Sequence, residues 1–189
     1  MSKRIIIVMF LLTATITIGQ QVESPGLTRD KAKSFLQSIH IPMADTTRID
    51  MLIQLADYYL WEERLYQAGL DSATSFLQLA ISLNDKLRSI KFDGYIALMR
   101  AKIAHDRNDT ATANEFLNKS IRLLESANDA FTVILAYTER LSWFDVRIPG
   151  ELAEINSSIQ AIFLQLKKIK DPAQKPEATL AIVWFYQKT

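Results

Sequence analysis

The order of apolar and polar residues in this chain has the period of an α-helix, and one stretch of the pattern occurs twice. The stretch from Ala111 to Leu123 reads ATANEFLNKSIRL, and a copy forty residues earlier reads ATSFLQLAISL. Each copy has two small residues seven positions apart, Ala73 and Ala80 or Ala113 and Ser120, and large apolar residues between them, so each forms one face of a helix. A pattern that recurs at a fixed long period predicts stacked helical repeats. The matched residues are Ala73 and Ala113, Phe76 and Phe116, Leu77 and Leu117, Ala80 and Ser120, Ile81 and Ile121, and Leu83 and Leu123.

The same periodicity predicts further helices on both sides of this pair. Thr28 is placed to cap a helix that runs to about Ile39 and ends before Pro42, because the residue before a proline disfavours helical geometry. Its AKSFLQSI segment matches the repeat, so we expect a half-repeat that closes one end of the stack. Asp71 and Asp129 are expected to cap two later helices. The other predicted helices cover residues 47–60, 71–83, 87–105, 110–123, 129–144, 151–170 and 175–189.

Alternate helices share a second frame, in which an alanine follows a larger residue. The frame occurs at Leu55-Ala56, Leu135-Ala136 and Leu180-Ala181, and in a weaker form at Arg100-Ala101. The alanine-to-alanine step across a hairpin is 12 residues for Ala101–Ala113, and 17 for Ala56–Ala73 and Ala136–Ala153. From about Thr47 to Thr189, this order of small and aromatic residues resembles the tetratricopeptide repeat family, with Asn108-Asp109 at the tight turn.

That resemblance implies an all-α fold, namely a right-handed superhelical solenoid of stacked antiparallel helix hairpins. The chain departs from the family pattern in its period, which is nearer 40 residues than the usual 34 or so, and in the longer step of two hairpins. Repeats of the HEAT or armadillo kind have periods in this range and stay an alternative.

The first residues have the pattern of a secretory signal peptide. Lys3 and Arg4 precede an apolar run, and Thr17 and Gly19 supply the small residues of a cleavage site. The uncharged run is about fifteen residues, whereas a membrane-spanning helix needs about twenty. We therefore predict an exported protein of the periplasm or cell surface, with an uncleaved anchor in the inner membrane as the alternative. The expected organisation is a signal peptide at 1–19, a linker at 20–27, an N-terminal capping helix at 28–44, and a repeat domain at 45–189 whose last repeat is incomplete.

Composition and charge narrow the classes of function. The chain has 189 residues, 49% of them apolar, which favours a folded domain. It has no cysteine and therefore no disulfide. Its net charge of +1 does not favour a nucleic-acid partner. His40 and His105 lack a second ligand at the spacing of a helical zinc site. Asp106–Leu117 resembles a calcium loop but has Ala111 where glycine is needed. Adjacent Glu62 and Glu63 diverge on a helix, so they do not form an acid–base pair. We expect no catalytic, cofactor or metal site; a helical hydrolase is the least favoured alternative.

The remaining candidates are sites of contact with a partner. In the tetratricopeptide hairpin the first helix lines an inner groove, and the resemblance implies that Tyr58, Tyr95 and Lys102 face it, with Tyr66 nearby. Aromatic and cationic side chains anchor bound peptides well. The alternative is that the tyrosines pack between repeats and Lys102 is solvated. The apolar run LAIVWFY predicts an exposed end surface, formed by Ile182, Val183, Trp184, Phe185 and Tyr186, that pairs with a second chain or with sequence beyond Thr189.

These features together predict a non-catalytic scaffold that binds a protein or peptide in the periplasm or at the cell surface. Contact with a membrane is expected only through an uncleaved leader or a downstream segment. The chain also resembles the exported repeat arrays at the front of bacterial sensor kinases and regulators. The alternative function is therefore a truncated sensory input domain of a membrane-bound signalling protein.

Overall fold

A computed structural model describes residues 27–62, 67–144, 148–176 and 178–179. Helices make up most of these residues and no β-strand occurs among them, which confirms the predicted all-α class. A 3-10 helix at Pro149–Glu151 precedes the last numbered helix, and residues 174–176 and 178–179 are again helical. The numbered helices are α1 (Arg29–Ser38), α2 (Asp45–Glu62), α3 (Gln67–Leu87), α4 (Ile90–Asp106), α5 (Thr110–Ser126), α6 (Ala130–Ser142) and α7 (Leu152–Leu166).

Each helix packs on the next one along the chain. The most extensive contacts join α2 to α3, α4 to α5 and α6 to α7, so the helices from α2 onward form three hairpins. The first helix of each hairpin also contacts the first helix of the following hairpin, α2 with α4 and α4 with α6. The small helix α1 lies against α2, and Thr28 caps it as the sequence predicts, accepting from the Lys31 N–H.

The turns explain why the period is forty residues. Helices α4, α5 and α6 begin at residues 90, 110 and 130, and each is preceded by one residue in the left-handed region: Arg88, Asn108 and Asn128, with φ of 52°, 61° and 56°. The next residue, Ser89, Asp109 or Asp129, caps the following helix through its side chain. Helices α4 and α5 are both 17 residues long, so one helix with a three-residue turn takes twenty residues and a hairpin takes forty.

Small residues mark the places where helices approach most closely. The alanines of the repeated stretch and of the second frame are fully buried, as the repeat pattern predicts. They are Ala73, Ala113, Ala56, Ala101 and Ala136. Ser120 is buried as well, and its hydroxyl donates to the carbonyl oxygen of Gly94 on α4 at 2.8 Å. A Cβ atom on Gly94 would lie only 2.7 Å from Cγ of Leu124 on α5, so a larger residue does not fit there.

The predicted start of helix α3 is wrong. Helix α3 begins at Gln67 rather than after Asp71, and Asp71 lies inside the helix, where its carboxylate accepts from the Gln67 amide at 2.9 Å. Gly69, which indicates a connection in the sequence, is buried within the same helix. The preceding helix, α2, runs two residues beyond Leu60.

The third hairpin also has a different register from the predicted one. Ala153 is exposed, so it does not occupy the position of Ala113. The buried residues of α7 are instead Ile155, Ser158, Ile162 and Gln165, and the first three repeat the spacing of Leu117, Ser120 and Leu124 in α5. Ser158 therefore takes the place of Ser120. The large apolar residues Ile155 and Ile162 are the ones that pack into the core, and they fix the register of α7 in place of Ala153.

Candidate functional site

The predicted partner-binding residues lie on α2 and α4, which are first helices of neighbouring hairpins. Tyr58 lies on α2, and Tyr95 and Lys102 lie on α4. Seven residues separate Tyr95 from Lys102, so these two side chains project from the same side of α4. Helix α2 contacts α4, and α4 contacts α6. The side chains that these three helices present on their shared face are called the first-helix surface below.

Lys102 connects the three helices of the first-helix surface. Its ammonium nitrogen lies 2.7 Å from Oδ1 of Asp57 on α2 and 3.5 Å from Oε2 of Glu139 on α6. The side chains of Lys102, Asp57 and Glu139 are 17%, 32% and 16% exposed. Lys102 is therefore largely buried between two carboxylates, and the alternative of a merely solvated lysine is wrong.

The charges around Lys102 decide its protonation. Burial by itself lowers the pKa of Lys102, but the nearby carboxylates of Asp57 and Glu139 outweigh that effect and raise its pKa above the ordinary lysine value. Lys102 is thus positively charged at neutral pH. Since both carboxylates already contact the ammonium, Lys102 contributes more to the spacing of the helices than to capture of an anionic ligand.

Tyr95 takes part in a second polar contact between hairpins. Its hydroxyl donates to Oδ2 of Asp129 at 2.6 Å, and the Lys91 ammonium lies 3.1 Å from the same oxygen. Burial and the hydrogen bond to Asp129 raise the pKa of Tyr95. Asp129 also accepts from the Thr132 N–H as the N-cap of α6. Tyr95 therefore joins α4 to the start of α6, as the alternative of tyrosines packed between repeats describes.

Tyr58 is half-buried and belongs to an aromatic row. Its ring meets that of Tyr59 edge to face at 5.5 Å, and Tyr59 stacks on Phe76 of α3 at 5.5 Å. The part that Tyr58, Tyr95 and Lys102 play in a groove stays a prediction.

Further along the first-helix surface, a stacked pair joins the ends of α4 and α6. The rings of His105 and Trp143 are 4.5 Å apart and nearly parallel, and the Trp143 N–H donates to Oε1 of Glu139 at 3.1 Å. His105 is half-buried and its Nδ1 lies 3.8 Å from Oδ1 of Asp106. Trp143 therefore covers one face of the His105 imidazole.

Sequence reasoning missed Asp57, Glu139 and Trp143. One signal was available, because Asp57 and Lys102 each follow the alanine of the shared frame, at Ala56 and Ala101. Opposite charges at equivalent positions of neighbouring helices indicate a pair. The positions of Glu139 and Trp143 have no comparable repeat signal.

Several predicted features fall outside the described residues. These are the leader at 1–19, Glu63, Tyr66, the frame at Leu180-Ala181, and the end surface of Ile182, Val183, Trp184, Phe185 and Tyr186. Across the described ranges, no group of three or more histidine, aspartate or glutamate side chains could hold a metal ion. No helix in that part of the chain has the length and apolarity needed to cross a membrane.

Comparison with protein-family models, with curated proteins and with solved structures finds no match for this chain.

Proposed function

We propose that this chain is a non-catalytic helical-repeat scaffold that binds a protein or peptide along the first-helix surface, with its hairpins stacked as a tetratricopeptide-like solenoid. The observation that carries the proposal is the series of contacts from α2 through α4 to α6, with Lys102 between Asp57 and Glu139. A surface assembled from successive repeats is the usual binding element of solenoid proteins.

The polar contacts give such a surface a fixed shape. Lys102 and Tyr95 link α4 to its neighbours through hydrogen bonds of 2.7 and 2.6 Å, from partly buried side chains. A surface that is ordered before binding loses less conformational freedom when the partner arrives, which favours affinity. In this proposal Lys102 and Tyr95 position the helices, and the half-buried Tyr58 supplies an aromatic contact to the partner.

The experiment is capture of a partner from an extract of the native organism with the exported chain as bait, followed by calorimetric titration of the purified partner. Tyr58→Ala should weaken binding at least tenfold with an unchanged helical circular dichroism spectrum, because aromatic anchors contribute heavily to interfaces. Glu115→Ala, an exposed change on α5, is the matched control and should bind as the unmodified chain does. Equal affinity of Tyr58→Ala and Glu115→Ala for every captured partner would contradict the proposed surface.

A further inference from the structure

Helix α7 exposes two large apolar side chains next to each other. Phe163 is 55% exposed and Leu164 is 59% exposed. Ser158, Ser120 and Ala80 occupy equivalent buried positions, so the residues that correspond to this pair are Glu125-Ser126 in α5 and Asp85-Lys86 in α3, all of them exposed. The fold thus accommodates polar residues at these two positions, and the apolar pair on α7 is not required by packing.

Two lysines follow the apolar pair in the turn that ends α7. Lys167 and Lys168 come four residues after Phe163 and Leu164, and the turn keeps them close to that end of the helix: Lys167, the C-cap, has φ −68° and ψ −23°, and the Lys168 N–H donates to the Gln165 carbonyl. Lys170 and Lys175 come next, and all four lysines are exposed. Residues 155–176, between Glu154 and Glu177, contain these four lysines and one acidic residue, whereas the rest of the chain has 18 basic and 20 acidic residues.

We propose that Phe163, Leu164, Lys167 and Lys168, called the α7 patch below, dock the protein on the surface of an anionic phospholipid membrane. The phenyl and isobutyl groups would enter the boundary between headgroups and acyl chains, while the ammonium groups reach lipid phosphates on flexible stems. Lysines near an anionic bilayer contribute additively to such binding. The α7 patch lies on a second helix of a hairpin, so it is separate from the first-helix surface and does not depend on the proposed function.

Two other occupants fit the α7 patch less well. A second copy docked through the same patch would bring two lysine clusters together, and like charges repel. A specific protein interface buries about 800 Å² on each partner, whereas the described residues of α7 place only two large exposed apolar side chains next to each other. A bilayer needs no matching shape, and a shallow apolar pair with a few cations gives weak, reversible attachment.

The absence of cysteine from the chain allows a site-specific test. Leu164→Cys, labelled with an environment-sensitive nitrobenzoxadiazole dye on the full chain, reports on the α7 patch alone. The matched control is Leu79→Cys on α3, where the native leucine is 52% exposed. With phosphatidylglycerol vesicles, the dye at position 164 should gain intensity and shift to shorter wavelength, and the dye at position 79 should not change. Phosphatidylcholine vesicles should give little response at either position.

The double change Lys167→Gln/Lys168→Gln in the Leu164→Cys chain should weaken vesicle binding roughly tenfold or more, and added salt should do the same. A circular dichroism spectrum equal to that of the parent verifies the fold of each labelled variant. The proposal is overturned if position 164 does not respond to phosphatidylglycerol, or if both positions respond alike. It is also overturned if the lysine change has no effect, or if soluble polyglutamate produces the response in place of vesicles, since that result would indicate an acidic protein partner.

Discussion

The ammonium of Lys102 lies 2.7 Å from a carboxylate oxygen of Asp57, although 45 residues separate them in the sequence. Their helices, α4 and α2, belong to different hairpins, and Glu139 extends the contact to a third hairpin at 3.5 Å. A charged group so poorly exposed is stable only while its partners remain, and removing one partner leaves the others uncompensated. The contact therefore makes the relative position of three hairpins depend on one side chain.

Lys102→Met is expected to lower the free energy of unfolding by about 2–4 kcal/mol, because it leaves two partly buried carboxylates without the cation between them. The triple change Asp57→Asn/Lys102→Met/Glu139→Gln removes all three charges and should recover a large part of that loss. Urea denaturation of the three proteins gives the values. A single variant as stable as the unmodified chain would mean that the contact does not hold the hairpins together.

Asp129 should make stability depend on pH in the acid range. Burial alone raises the pKa of Asp129, but the Tyr95 hydroxyl, the Thr132 N–H and Lys91 outweigh it and hold the pKa below the ordinary aspartate value of 3.8. A carboxyl whose pKa is lowered by folding stabilises the protein above its unfolded pKa, and this contribution is lost as pH falls through the folded pKa.

Asp129→Asn isolates that charge, because asparagine is also a good N-cap. The variant should be less stable than the parent at pH 7, and the difference should shrink as the pH falls below about 3.8, the ordinary value. Denaturation curves at several pH values provide the comparison. A difference that stays constant between pH 7 and pH 2 would show that the charge of Asp129 is not involved.

The register of the hairpins can be tested with three matched substitutions. Ala113→Glu and Ser158→Glu each place a carboxylate at a fully buried small position, so each should cost several kcal/mol, of which overpacking alone supplies about 1–3. Ala153→Glu is an exposed change on the same helix as Ser158 and should stay within about 0.5 kcal/mol of the parent. Thermal melts rank the variants. If Ala153→Glu destabilised the protein as much as Ser158→Glu does, the register assigned to α7 would be wrong.

Local features of this fold could be predicted from the sequence, and contacts between hairpins could not. The turn at Asn108-Asp109 and the cap at Asp129 depend on neighbouring residues, so composition and spacing were enough to find them. The sequence predicts a later start for helix α3 because Gly69 weakens an isolated helix, whereas in the protein tertiary packing overrides that preference. The predicted match of Ala153 to Ala113 is wrong for a related reason, since an alanine fits a buried or an exposed position equally well.

The candidate site shows the same division. Their positions relative to the frame alanines predict that Tyr58, Tyr95 and Lys102 face the groove. The partners that determine what Tyr95 and Lys102 do, Asp129 and Glu139, lie 34 and 37 residues further along the chain, beyond the reach of any helical pattern. Only the packing of α4 against α6 brings them together.

The central claim is that a partner binds along α2, α4 and α6, and hydrogen–deuterium exchange with and without the captured partner tests it most directly. We expect slower exchange on binding in peptides from Asp45–Glu62, Ile90–Asp106 and Ala130–Ser142, the three helices of the first-helix surface. Peptides from the exposed parts of α3 and α5, the second helices of their hairpins, should exchange at the same rate with and without the partner. Protection confined to α3, α5 and α7, with α2, α4 and α6 unchanged, would contradict the account.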